Sequence, residues 1–138
     1  MSQENVELIK AAIEAWNRED WDAFFKDMAP GFELDFSRAV GPWRGVFGRD
    51  QIRQVLEDMR ETWESVRLEP HEFIEAGDCV VVPWTMHGRG RDGIEVVTRA
   101  TFVWTIRNGA IERVTMYQER QDALEDLGLS EQDTHADS

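Results

Sequence analysis

The stretch TFVWTIRNGAIERVTMY, from Thr101 to Tyr117, decides the fold. Two β-patterned runs meet in it at Asn108-Gly109, a pair that supplies the positive φ angles of a tight hairpin turn. On the first run Phe102, Trp104 and Ile106 alternate with Val103, Thr105 and Arg107, so one face of the hairpin must cover something apolar. Further back, Gly77-Asp78 and Asp92-Gly93 separate similar runs, which predicts four strands near 67–75, 79–90, 94–107 and 110–119. Connections this short permit only an antiparallel meander.

Upstream the period changes. Val6, Ile9, Ala12, Ile13 and Trp16 recur at helical spacing between Glu4 and Trp16, with Ser2 as the expected N-cap. Asp20 caps a second, short helix with Trp21, Phe24, Phe25 and Met28 on one side, and Pro30-Gly31 is expected to end it. In FELDF, Phe32, Leu34 and Phe36 oppose Glu33 and Asp35, the pattern of a short strand. RAVGPWRGVFG (38–48) reads as a loop packed by its own side chains. Ile52, Val55, Leu56, Met59 and Trp63 mark a third helix over Asp50 to Trp63. Gln121 to Leu127 reads as a closing helix with Gly128 as its C′ residue.

The 138 residues suit one domain, expected over 1–128, followed by an acidic, frayed tail over 129–138. With 28 acidic and 15 basic residues the formal charge is −13, which disfavours nucleic acid and anionic membranes as partners. The N-terminus MSQENVELIK lacks a basic-then-apolar signal, and no apolar run approaches the ~20 residues of a membrane span. Cys79 is the single cysteine; beside Val80, Val81 and Val82 it is expected as a buried, unreactive thiol of a cytoplasmic protein. His71, His87 and His135 lack metal-ligand spacing, so neither metal nor cofactor is expected. Gly88 to Gly93 (GRGRDG) reads as a hairpin end, not a phosphate loop.

Six tryptophans are many for one small domain. Trp16, Trp43, Trp63, Trp84 and Trp104, with Phe24, Phe73 and Phe102, could wall a pocket for a flat hydrophobic molecule, although core packing explains any one of them. Three helices before a curved sheet make an α+β domain whose sheet folds into a cone. Its outer positions Val97, Arg99, Thr101, Val103 and Thr105 are mixed enough for a homodimer interface.

The order of elements and four strings, AWNREDWDAF, WRGVFGRDQIR, EFIEAGDCVVV and VWTIRNGAIERVTMY, resemble the SnoaL-like branch of the NTF2-like (cystatin-like) superfamily. The resemblance covers about residues 4 to 128, and the fold hosts ketosteroid isomerases, polyketide cyclases, scytalone dehydratase and epoxide hydrolases. It places Asp35 where the isomerases carry their general base; an exposed strand aspartate is the plainer reading. The isomerase oxyanion partners fall at Ala12 and at Thr101 or Phe102, none of which can donate as a neutral acid. Epoxide hydrolases carry Arg-x-Asp on one strand, whereas Arg99-Ala100-Thr101 keeps only the arginine. Scytalone dehydratase pairs two histidines, and His71 and His87 lie on separate strands.

Pattern and resemblance together predict a cone that binds a small hydrophobic molecule, with possible isomerase-, cyclase- or lyase-type acid–base chemistry. Asp35 is the candidate base, and Trp16, Trp84, Met86, Phe102, Trp104, Met116 and Tyr117 are the candidate ligand contacts. Tyr117, Gln118 and Glu119 end the last strand, where they could meet a ligand at the rim. The alternative is a non-catalytic binding or dimerisation module.

Overall fold

A computed structural model describes residues 2–39 and 44–129. Helix α1 (Ser2–Arg18) buries Val6, Ile9, Ala12, Ile13 and Ala15, and Trp16 packs partly buried against the same core. The chain reverses at Glu19, and the Asp20 carboxylate accepts the backbone N–H of Ala23 at 3.2 Å, capping α2 (Trp21–Lys26). That helix stops at Lys26, four residues before the expected Pro30-Gly31 break, because Met28 already belongs to β1 (Met28–Phe36). The segment 38–48 is not all loop: β2 (Gly45–Gly48) pairs with Glu33–Phe36 of β1. Helix α3 (Arg49–Thr62) follows, and Trp63, expected on its stripe, instead opens β3 (Trp63–Pro70).

The expected strand over 67–75 is broken. β3 ends at Pro70, and β4 (Ile74–Ala76) resumes pairing with β5 (Cys79–Gly90) after His71–Phe73. Pro70 and Pro83 lack an N–H on these facing strands, and the His71 N–H reaches the Pro83 carbonyl at 2.9 Å instead of continuing the ladder. β6 (Glu95–Arg107) and β7 (Ala110–Tyr117) form the expected hairpin, with φ of 54° at Asn108 and 74° at Gly109. Ile106 faces Ile111 but Thr105 faces Arg113, so Glu112 is the extra residue of a β-bulge, which bends the strand.

The seven strands form one sheet in the order β2-β1-β7-β6-β5-β3, with β4 also on β5. The sheet is mixed where an antiparallel one was expected, since β1 lies parallel to β7, Leu34 opposite Val114. Helices α1 to α3 cover the concave side over Phe32, Val82, Phe102 and Trp104. Helix α4 (Arg120–Asp126) lies on the other side, where Ala123 and Leu124 cluster with Ile74, Val81, Val103 and Tyr117. It ends in a Schellman motif: Gly128, at φ 73°, donates to the Glu125 carbonyl and Leu129 to that of Leu124.

This placement changes two expectations. Thr101 and Val103, read as part of a dimer face, are buried, Val103 in the cluster that α4 joins, while Val97 and Arg99 stay exposed. Cys79 is half-buried, 3.6 Å from the Thr105 hydroxyl, rather than enclosed. Trp43, His135 and the tail beyond Leu129 lie outside the described residues.

Candidate functional site

The cone is not filled. Between α3 and the concave face lies a cavity of about 420 Å³, within the range of small-molecule sites. The period of each strand decides what faces it. Ala100, Phe102 and Trp104 on β6, Trp84 and Met86 on β5, and Val114 and Met116 on β7 have the inward parity. Opposite them, the α3 stripe of Ile52, Val55, Leu56 and Met59 forms the helical wall, which is why Val55 and Met59 remain partly exposed despite their helical register. Phe102 is the hub: its ring centroid lies 4.8 Å from that of Trp84, 5.9 Å from Phe36 and 6.2 Å from Trp104.

Polar groups are few. Thr98, Arg99 and Gln118 line one margin, and Arg99 is the one charged residue among the described lining. Within the wall, the indole N–H groups of Trp84 and Trp104 are buried with no hydrogen-bond acceptor among the described residues. Leaving such a donor unsatisfied costs roughly 1–3 kcal/mol. A more polar recess adjoins the cavity, sharing Trp16, Leu56, Met59, Trp63 and Val66 with it and bordered by Arg60, Arg67 and His87. His87 is paired there with Glu69 at 2.9 Å. Among the described residues, no three His, Cys, Asp or Glu side chains gather as a metal site.

Of the candidate ligand contacts, Trp16, Trp84, Met86, Phe102, Trp104 and Met116 surround this cavity. Asp35 and Tyr117 do not belong to it. Asp35 has the parity opposite to Leu34 and Phe36, and on the outer face its carboxylate accepts the Ser37 N–H at 2.9 Å and Arg113 Nη2 at 2.6 Å. Burial pushes its pKa up, but the hydrogen bonds from Ser37 and Arg113 outweigh this and hold the carboxyl below its ordinary value. An ion-paired carboxylate on the far side of the sheet cannot take a proton from a molecule in the cone, which removes Asp35 as its base.

Tyr117 likewise turns toward α4. Its hydroxyl donates to Asp126 Oδ2 at 2.6 Å, and the Arg38 guanidinium lies 4.5 Å from its ring centroid while bonding the same carboxylate oxygen at 3.3 Å. Gln118, one residue on, has the inward parity and takes the place at the rim. Burial, followed by the bond to Asp126, pushes the Tyr117 phenol from 10.0 up to about 12. A raised folded pKa means the neutral phenol's contribution is whole below pH 10 and is lost as pH climbs through 12. Tyr117 is the sole tyrosine, so the phenolate absorbance band reports it alone. The native chain is expected to titrate with a midpoint near 12 and the denatured chain near 10; a native midpoint of 10 would contradict the Tyr117–Asp126 bond.

A cone of curled mixed sheet wrapped on three helices, with an apolar hollow, defines the class: an NTF2-like α+β domain. Residues 9–114 match the model of the SnoaL-like domain, and the chain belongs to that family. Among solved structures, TerC co-crystallised with polyporic acid is 26% identical, with a TM-score of 0.75 over 90% of this chain and 97% of that one. A provisionally assigned polyketide cyclase from Xanthomonas campestris pv. campestris is 25% identical, with a TM-score of 0.68 over 91% and 97%. A protein of ketosteroid isomerase-like fold from Catenulispora acidiphila, in complex with trimethylamine, is 20% identical, with a TM-score of 0.70 over 90% and 94%. No curated protein matches the sequence. Among the described residues, no helix is long and apolar enough to cross a membrane.

Proposed function

We propose that the chain binds a small, flat, largely apolar molecule of aromatic or polyketide type inside the cone. The observation that carries this reading is the hollow of about 420 Å³, walled by aromatic and aliphatic side chains, with Arg99 as the sole charge among its described lining. Burying a flat apolar ligand there removes its surface from water, worth about 25 cal/mol for each Å². The likeness to TerC with polyporic acid and to the cyclase supports the ligand class. Cyclase-type chemistry would proceed by holding a reactive ligand in one conformation, because the described wall contains no carboxylate or histidine to act as base, whereas isomerisation by proton transfer would need such a group. The alternative is a non-catalytic ligand-binding or dimerisation module; the apolar hollow suits its binding form, whereas a module built only for dimerisation has no use for it.

The rigid tricyclic hydrocarbon fluorene tests the reading by equilibrium dialysis. One molecule per chain is expected to bind with Kd roughly in the micromolar range; no saturable binding would overturn it. We also propose that two copies pair through the exposed end of the β5–β6 hairpin, where Ile94 is 62% and Val97 65% exposed. Light scattering should then give twice the chain mass, falling to one with Val97→Lys; a monomer in the unsubstituted protein would refute the pairing.

A further inference from the structure

We propose that the ligand of the cone carries a hydrogen-bond acceptor, a carbonyl, quinone or phenolic oxygen set into its flat apolar frame, which the indole N–H groups of Trp84 and Trp104 receive. This rests on the cavity being the ligand site and specifies the chemistry that site selects.

The two indoles border the same hollow, at 9% and 3% exposure, and both nitrogens lack a partner. Buried indole N–H groups are ordinarily matched with an acceptor. Among the described residues the immediate neighbours are not suited to provide one, since Ala100 pairs with Trp84 and Val114 with Trp104, and Phe102 lies against both rings. Phenylalanine would fill this wall without orphaning a donor. Two tryptophans there therefore leave donor capacity that an apolar ligand wastes and an oxygen-bearing one uses.

Each nitrogen exposes less than 1 Å² to solvent, so the ligand must displace a wall side chain to reach it. Met86 and Met116 border the cavity, and their unbranched, freely rotating chains are the ones able to yield. Gln118 at the margin offers a further donor, but it is exposed, and a ligand oxygen meeting it would merely exchange it for water. The buried indoles have no water to lose, so selectivity belongs to them.

The test compares fluorene with 9-fluorenone, which shares the tricyclic frame and adds one carbonyl, against the unsubstituted protein, Trp84→Phe and Trp104→Phe. Removing a donating N–H is expected to weaken fluorenone roughly two- to tenfold while leaving fluorene within twofold. Fluorene also reports whether each variant keeps its cavity. If neither fluorene nor fluorenone binds the unsubstituted protein, the cone reading falls and this inference with it. If fluorene binds and both variants hold fluorenone unchanged, the cone reading stands and the acceptor inference is overturned. Should a variant fail to fold, the indole ¹H–¹⁵N resonances of the unsubstituted protein decide. Fluorenone must shift the Trp84 or Trp104 signal downfield more than fluorene does, and equal shifts would refute the inference.

Discussion

Phe102→Ala is expected to cost about 3 kcal/mol of folding stability, the low end of the range for truncating a buried phenylalanine. The ring is 9% exposed and touches Trp84, Phe36 and Trp104, so its loss strips contacts from three aromatic neighbours at once. One side already borders a void, which is why the upper end, near 5 kcal/mol, does not apply. Against a typical total of about 5–15 kcal/mol this is a large fraction. Thermal denaturation should show a drop in Tm of about 10 °C or more. Val97→Ala, at an exposed site on the same strand, should stay within about 0.5 kcal/mol in the monomer. A Phe102→Ala variant as stable as the parent would mean the aromatic wall is not packed as described.

The second large effect is on binding. Ala100 lies in the inward register of β6, opposite Trp84, and borders the hollow. Ala100→Trp would place an indole in the volume a ligand needs, and fluorene affinity should fall about a hundredfold or more, near 2.7 kcal/mol. Because the new ring enters existing space, stability should change far less than overpacking a filled core would demand. Asp35→Asn is the control: its side chain is across the sheet, so fluorene affinity should not move. An Ala100→Trp variant that binds as tightly as the parent would place the ligand elsewhere.

Much of this site could be read from the period of two. Thr98, Ala100, Phe102 and Trp104 share a parity, as do Val114, Met116 and Gln118, and all of them meet the cavity. Extending those rows would have found Thr98 and Gln118 and excluded Tyr117, which shares the parity of Arg113 and Thr115. The same rule speaks against Asp35 in FELDF, where the position matched by family resemblance pointed the other way. Local pattern could not reveal that β1 lies parallel to β7, or that β2 extends the sheet, because both pairings join elements whose order in the sheet differs from their order in the chain or whose strand signal is too short to stand out. Nor could it show what covers Val103; the closing helix α4 was legible, its docking there was not. Whether aromatics pack or enclose space is likewise a property of the whole cone, set by how far α3 stands from the sheet.

The functional reading turns on the proposal that the hollow between α3 and the concave sheet holds the ligand. A structure determined with fluorene present tests it most directly. One fluorene is expected between Met59 of α3 and the rings of Trp84 and Phe102, with the Asp35–Arg113 pair undisturbed on the other face. Fluorene bound only outside the cone, or a cavity closed by inward collapse of the methionines, would contradict it.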